Sequence, residues 1–453
     1  MNNTLANADR RAAAVIGGGT AGLTAGYRLR QAGWNVTVYE AANHLGGRVE
    51  TIVRQGYRAD TGATAIAARY PLYMQLVQEL GLETVWTSPY LGIYRQGRIR
   101  LLRLDRLIRS ALATDLLSTS TKIRLFRVAG EVVVAKLRGM LSYDDLSKAA
   151  ALDDESARDY FVRVAGAEAD AYFGEPLTRA LLLANSSQVS RVELMSGIAN
   201  AVAGRLAALV GGQAALIEAL ARRAGDLRLE TTVTRVVDTG SGVTVSCIDS
   251  RGILSSQSFD ACVVACPLPR AKNICPQYTS ELERLDDRLK FTKGINVIIG
   301  TARTPSTPAF LVQFPSAEDR EIAMIVIENN KAPDRAPAGH GLLTVSWEMA
   351  AAAAWADRAD EVLVERSLQS VCRLFPELRG TVDFTYVRRW PIALPHTRPG
   401  VYRAIAEFAA TLSTRARIQF AGDYLSQTGQ NTAIAWGGRA AKNLLEAFTA
   451  TAA

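Results

Sequence analysis

The sequence predicts an α/β protein in which a parallel sheet flanked by helices shares the chain with an interleaved α+β lobe. Three observations carry that expectation. The N-terminus reads strand, glycine turn, helix, strand. Strand-and-turn text of the same kind returns in the middle of the chain and near its end. Between these stretches lie a helical region and a set of apolar strands belonging to a second sheet. At 453 residues the chain is also longer than one ordinary core, so two lobes are expected.

Each element follows from its local pattern. Arg11–Ile16 (RAAAVI) is a short apolar strand, AGLTAGYRLRQAG from Ala21 to Gly33 is helical, and Trp34–Glu40 (WNVTVYE) is a second strand ending in an acid. Leu72–Gly81 is an amphipathic helix stopped by glycine. Residues Arg98 to about Leu146 carry helical periodicity with a basic bias, and Asp153–Gly204 reads as mostly helical. Leu209–Ala224 is a glycine turn followed by a helix. Arg228–Cys247 is a β-meander turning at Gly240–Gly242, and Phe259–Ala265 is a buried strand. Asn296–Gly300, Ala323–Glu328 and Leu342–Glu348 are strands of the second sheet. Asp360–Phe375 is a helix, Ile418–Ala421 a strand and Thr432–Phe448 a closing helix. The expected boundaries are 11–90, 205–270 and 396–453 for the discontinuous domain built on the parallel sheet, with 91–204 and 271–395 forming the interleaved domain.

Composition narrows the classes. With 48% hydrophobic and 21% charged residues the chain reads as a soluble globular protein. Only the first ten residues and the Ala/Thr-rich tail read as unstructured. No apolar run reaches the length of a membrane span, and Met1–Arg11 is too polar for a secretory signal. The five cysteines are odd in number, and Cys262 and Cys266 are wrongly spaced for a metal pair. With His44, His340 and His396 as the only histidines, no zinc constellation can be assembled. A reduced, cytoplasmic protein without a metal is expected. The formal net charge of +8 is local: between Tyr94 and Met140 eleven Lys/Arg stand against Asp105, Asp115 and Glu131. No nucleic-acid-binding motif accompanies this bias. It reads as solvated helix faces, as attraction for a carboxylate-bearing substrate, or as peripheral contact of 94–140 with an anionic membrane.

The chemistry-bearing text begins at Gly17, Gly19 and Gly22, a G-x-G-x-x-G between strand and helix. The first glycine allows a sharp turn, the second a close approach to pyrophosphate, and the third helix–strand packing. The following helix aims its N–H groups and positive dipole end at the phosphates. Glu40 ends the next strand, where an acid accepts from ribose hydroxyls. Leu45-Gly46-Gly47-Arg48 follows, with Arg48 offering a donor fork to a phosphate.

IGGGTAGLTAGYRLRQAGWNVTVYEA with LGGRVET resembles the opening of the flavin monoamine oxidase, protoporphyrinogen oxidase and phytoene desaturase superfamily. The resemblance continues through most of the chain. DTGA at Asp60–Ala63 is similar to a second flavin-contacting stretch, implying Gly62 and Ala63 as contacts. LRLETTVTRV resembles the middle FAD segment, where Val233 would meet the adenine through its backbone. FDACVVACPLP resembles the family's D-x-x-V-x-A-x-P strand. QFAGDYLSQTGQNTAIAWGG resembles the closing FAD motif, implying Gly422, Asp423 (at the ribityl chain), Thr432 and Ala433. The resemblance implies a Rossmann-like FAD-binding domain of the glutathione-reductase type with an interleaved α+β substrate domain. RRWPIALP resembles a strand on the substrate side of the flavin, making Trp390 the candidate catalytic-face residue. Trp390 reads equally as a core residue between lobes. His396 reads as a loop histidine rather than a base.

Two departures separate this chain from simple amine oxidases. The family's lysine near the flavin is matched by Asn296, and Gln430-Asn431-Thr432 stands where the second aromatic of an amine cage is expected. The leading expectation is an FAD-dependent oxidoreductase that moves a hydride from a C–N or C–C bond of a small organic substrate to the flavin, with reoxidation by oxygen. The alternatives are a protoporphyrinogen-oxidase-like enzyme or polyene desaturase/isomerase working on a lipophilic substrate at a membrane surface, and a non-catalytic flavin-binding protein. Oligomeric state stays open.

Overall fold

The computed structural model describes residues 10–64, 66–67, 70–142, 145–201 and 205–449. The polar stretch 1–9 and the tail 450–453, which read as unstructured from composition, lie outside the described residues, as do 202–204 at the end of the expected helical region.

A five-stranded parallel sheet runs in the order Asp226–Arg228, Asn35–Tyr39, Ala12–Ile16, Ala261–Val264, Ile418–Phe420. Ala12–Ile16 lies at its centre because its side chains are small or β-branched and buried on both faces. The helix Thr20–Gln31 returns over this sheet and packs against the last helix, Gln430–Thr449. Glycine permits that contact: a Cβ on Gly437 would intrude on the Ala21 carbonyl. The chain's two ends therefore meet on one layer.

Beside this sheet stands the expected meander, Thr232–Asp238, Val243–Ile248 and Leu254–Phe259. A seven-stranded sheet forms the second layer system, in the order Val382–Trp390, Gly294–Thr301, Gly341–Trp347, Ile322–Ile327, Ala309–Gln313, Tyr90–Arg95, Arg98–Arg103. Its central strands are buried along their whole length, which explains why they read as apolar runs. Helices between Leu107 and Ala201 form a separate cluster around Val128, Val132, Tyr160, Phe161 and Val164.

One element differs from its expectation. Arg98–Arg103 is a strand, not the start of a helix, and it pairs antiparallel with Tyr90–Arg95 at the sheet edge. Its long basic side chains hide the two-residue alternation that an edge strand needs on one face only. The helices of this region begin at Leu107 and Thr119. Leu206–Leu209 is also a strand, paired with Thr84–Trp86. The five cysteines are free thiols.

Candidate functional site

The first glycine turn lies at the carboxyl end of the parallel sheet. Gly17 takes φ +111° and faces the Ala265 carbonyl so closely that a Cβ would sit 2.9 Å from it. Gly22 lies over the Gly17 carbonyl and has no room for a side chain. Gly19 differs: it is the N-cap of Thr20–Gln31 with no side-chain cap, and a Cβ there would meet only the Gly46 carbonyl, 3.8 Å away. Two glycines are thus required by the protein's own packing, and the third keeps space open in front of a helix N-terminus.

Glu40 ends its strand beside this turn. Its Oε2 accepts from the Gly18 N–H at 2.8 Å and its Oε1 from the Ala42 N–H at 2.9 Å. Both oxygens keep further lone pairs for hydroxyl donors. The Thr231 N–H donates to the Glu40 carbonyl at 2.9 Å, which brings the start of the Val233 strand to the same edge. Val233 itself is buried and pairs with Cys247.

Gly46 and Gly47 carry the chain back across the turn, with Gly46 bridging to Gly19. Gly47 takes φ +58°, and a Cβ on it would find only the Gly19 Cα, at 3.8 Å. Arg48 then closes on Asp423: Nη2 donates to Oδ1 at 2.7 Å and Nη1 to Oδ2 at 2.9 Å. Nη1 also donates to the Ala393 carbonyl at 3.0 Å. The carboxylate of Asp423 is buried and follows Gly422 directly. Thr432 and Ala433 lie in the first turn of Gln430–Thr449, and the Ala433 N–H bonds the Gly429 carbonyl at 3.1 Å.

Asp60–Ala63 runs alongside. The Ala63 N–H donates to the Arg48 carbonyl at 3.3 Å, and Gly62 lies against the same carbonyl. The Thr61 carbonyl receives two donors, Trp390 Nε1 at 2.9 Å and Asn296 Nδ2 at 2.7 Å. Trp390 is buried, with Arg388 stacked 4.2 Å from its ring centroid. The indole therefore holds a loop as well as filling space. Asn296 Oδ1 is buried without a hydrogen-bond partner, as are Gln427 Oε1, Thr428 Oγ1 and Gln430 Oε1 from the closing segment. His396 is set apart from this work. Its Nε2 lies 2.8 Å from the Gln188 carbonyl, an acceptor only, so that nitrogen carries the proton. Burial pulls the ring below the usual histidine range.

Three groups escaped sequence reasoning. Beneath Asp60 lies a buried ion cluster in which Lys331 Nζ reaches Asp60 Oδ2 at 2.9 Å and Glu328 Oε2 at 2.6 Å, with the half-buried Thr64 Oγ1 at 2.9 Å. Arg335 stands 3.5 Å from the same Asp60 oxygen. Burial alone would push Asp60 up, but Lys331, Arg335 and the Gln213 N–H hold its carboxyl below the ordinary value. Gln213 joins the first and last segments: its Oε1 accepts from Tyr73 Oη at 2.8 Å and Gln430 Nε2 at 3.1 Å. Glu193, buried in the helical cluster, takes Thr397 Oγ1 at 2.7 Å, Gln427 Nε2 at 3.1 Å and the Tyr402 hydroxyl. Burial raises its carboxyl above the usual range against those three donors.

These residues fit a dinucleotide cofactor by their own geometry. The open space at Gly19 and Gly47 meets a helix N-terminus that no side chain caps. Among the described residues no helix is long and apolar enough to cross a membrane.

Comparisons with known proteins agree. The model of the flavin containing amine oxidoreductases matches residues 20–445. The coproporphyrinogen III oxidase of Mycobacterium tuberculosis is 27% identical over 98% of this chain and 99% of its own length. Protoporphyrinogen oxidase 2 of Arabidopsis thaliana is 29% identical over 39% of this chain and 34% of its own. Among solved structures, cyclohexylamine oxidase from Brevibacterium oxydans superposes with a TM-score of 0.77 at 20% identity, covering 97% of this chain and all of that one. Putrescine oxidase bound to putrescine gives 0.76 at 18%, covering 96% of this chain and 99% of that one. With the family model spanning nearly the whole chain, the protein belongs to the flavin containing amine oxidoreductase family and is an FAD-dependent oxidoreductase.

Proposed function

We propose that this enzyme dehydrogenates a porphyrinogen-type substrate, a reduced tetrapyrrole rich in N–H groups, and passes the electrons to oxygen. The observation that carries this reading is Asn296. Where the resemblance to amine oxidases implies a lysine, a buried amide stands, anchored through Nδ2 to the Thr61 carbonyl with Oδ1 unpartnered. Gln427 and Gln430 add two more buried acceptor oxygens. Amide oxygens suit pyrrole N–H donors, whereas an amine substrate is served by an aromatic cage. The coproporphyrinogen III oxidases that match this chain along nearly its whole length support the same choice.

In this reading the parallel sheet with segments 11–90, 205–270 and 396–453 forms a Rossmann-like FAD-binding domain of the glutathione-reductase type. Segments 91–204 and 271–395 form the substrate domain. Gly17, Gly19, Gly22 and Gly47 make room for the pyrophosphate, and Glu40 accepts from the ribose. Val233 offers backbone to the adenine. Asp423 meets the ribityl chain with Arg48 fixing its direction, and the Arg48 donors not spent on Asp423 and Ala393 remain for a phosphate oxygen. Gly62, Ala63, Gly422, Thr432 and Ala433 complete the backbone wall. When bound, the flavin supplies the hydride acceptor. Trp390 and Asn296 hold the Thr61–Ala63 loop in place, and the buried amides orient the substrate by its N–H groups. A lipophilic substrate of this kind also gives a reason for peripheral membrane contact through residues 94–140.

The test is anaerobic flavin reduction by coproporphyrinogen III, protoporphyrinogen IX, putrescine and cyclohexylamine in turn. Bleaching by a porphyrinogen, followed by peroxide on admitting oxygen, is expected. Bleaching by an amine with none by either porphyrinogen overturns the proposal.

A further inference from the structure

The helix Thr119–Leu137 carries two apolar stripes on opposite sides. Thr121, Val128, Val132 and Ala135 face inward and are buried. Val128, Val132 and Ala135 pack into the cluster with Tyr160 and Phe161. The second stripe faces out: Ile123, Phe126, Val133, Val134 and Leu137 are exposed at 64, 60, 55, 47 and 84%. Their spacing of three, four and seven residues puts them on one side of the helix, about half a turn from the buried stripe at 100° per residue. A surface helix ordinarily turns polar residues to that side. Cations flank the outer stripe on both edges, Lys122 and Lys136 on one and Arg127 and Arg138 on the other.

The neighbouring short helix exposes apolar side chains as well. Lys122 Nζ donates to the Leu112 carbonyl at 2.8 Å, which ties the start of one helix to the end of Leu107–Ala113. There Ile108 and Leu112, one turn apart, are exposed at 63 and 49%. Two joined helices thus both expose apolar side chains next to basic ones.

We infer that this face of Thr119–Leu137, with Ile108 and Leu112, lies on the surface of an anionic lipid bilayer, parallel to it. The inference deepens the membrane contact proposed above and rests on that segment, not on the identity of the substrate. The occupant follows from charge. Four cations, Lys122, Arg127, Lys136 and Arg138, border the exposed stripe itself, while Arg95, Arg100 and Arg103 of the neighbouring strands are paired with Glu168, Asp115 and Asp105. A second copy of the same face would bring two such fields together, which opposes self-association. A lipid surface accepts the apolar stripe among acyl chains and offers phosphates to the flanking cations. The helix is too charged to insert across the bilayer, consistent with the lack of any spanning helix among the described residues.

The experiment uses the full-length flavin-loaded protein and vesicles of phosphatidylglycerol with phosphatidylcholine, or of phosphatidylcholine alone. Co-sedimentation is expected with the anionic vesicles at low salt, weakened severalfold in 1 M salt, where the screening length shrinks to about 3 Å. The triple variant I123S/F126S/L137S is expected to bind at least about tenfold more weakly while keeping its flavin spectrum. The variant R127Q/R138Q keeps the apolar stripe, and its loss should appear mainly as lower preference for anionic over neutral vesicles. Absence of sedimentation by the wild type at low salt overturns the membrane contact as a whole. Sedimentation by the folded triple variant equal to wild type leaves the segment reading standing and overturns this face. If the triple variant loses its flavin, the charge variant decides alone: unchanged lipid preference overturns the inference. A wild-type dimer in solution that the triple variant abolishes, with no vesicle binding by either, assigns the face to a second copy instead. Porphyrinogen-dependent flavin reduction in vesicle-free solution is read separately, so either proposal can fail without the other.

Discussion

Arg48 grips both carboxylate oxygens of Asp423 across 375 residues of sequence, at 2.7 and 2.9 Å. This pair locks the opening glycine segment to the closing one. Asp423 is buried and Arg48 only half so, and removing the arginine leaves a desolvated carboxylate with its charge uncompensated. Arg48→Ala is therefore expected to destabilise the protein by about 2–3 kcal/mol and to lower FAD retention. Asp423→Asn should cost less, since the amide oxygen still accepts from one guanidinium nitrogen. The double variant should fall well short of the sum of the singles, a coupling of about 1 kcal/mol or more. Urea unfolding with flavin occupancy measured on the same samples checks this. Strict additivity would show that the two residues do not act as one unit.

How much of this site is legible in the sequence depends on whether its cause is local. Gly17 takes φ +111° and Gly22 lies over the Gly17 carbonyl, two demands made inside the strand–turn–helix unit itself, so their spacing announces the turn from the residues alone. The central strands of the second sheet are legible because burial on both faces writes an unbroken apolar run. The Lys331 cluster leaves no such mark. Lys331 and Arg335 stand in ENNKAPDR, text that reads as a solvated turn, and they are buried only because Asp60 arrives from 271 residues away. The role of Trp390 is equally hidden. Its sequence context suggests a wall or a core residue, and only the Thr61 carbonyl beneath its Nε1 shows that it also pins a loop.

That bond separates two kinds of change at Trp390. Trp390→Phe keeps an aromatic ring under Arg388 and removes only the donor, and the Thr61 carbonyl retains Asn296. Stability should fall by about 1 kcal/mol. Trp390→Ala empties a buried site and should cost roughly 3–5 kcal/mol. If the indole positions the Thr61–Ala63 loop against the flavin, Trp390→Phe should also slow flavin reduction by about tenfold, because small displacements of reacting groups are costly. Stopped-flow reduction beside thermal melts reads both. An unchanged reduction rate in Trp390→Phe would make the residue purely structural.

The buried ion cluster predicts a rescue. Lys331→Met leaves Asp60 and Glu328 buried with only Arg335 nearby, an imbalance expected to cost about 3–5 kcal/mol. Glu328→Gln in the same chain removes one of the stranded charges, and its amide can still accept from Thr344 Oγ1, which lies 2.8 Å from Glu328 Oε1. The double variant should regain more than half of the lost stability. Denaturant midpoints for wild type, both singles and the double decide it, and a double variant as unstable as Lys331→Met would show that Glu328 does not share the lysine's charge.

The last expectation concerns pH. Asp170 lies in the helical cluster, buried, with its carboxyl pushed up to about 6. Burial is the main cause, Glu175 and Asp159 add like charge, and Ser186 and Arg158 act against it. In the unfolded chain the same carboxyl ionises near pH 3.9. Between that pH and about 6 the folded protein holds the proton more tightly than the unfolded chain does. Its contribution to stability therefore falls as pH rises through this window, and the cost is fully present above it. A shift of this size corresponds to about 3 kcal/mol at most. Asp170→Asn keeps a hydrogen-bonding group of the same shape and never ionises. The variant should melt higher than wild type at pH 7, and its advantage should shrink steadily as the pH is lowered from 6 to 4. Melting temperatures at half-unit intervals across that range test the sign directly: an advantage that is absent at pH 7, or that stays constant down to pH 4, would show that the charge on Asp170 is not what burdens the helical cluster.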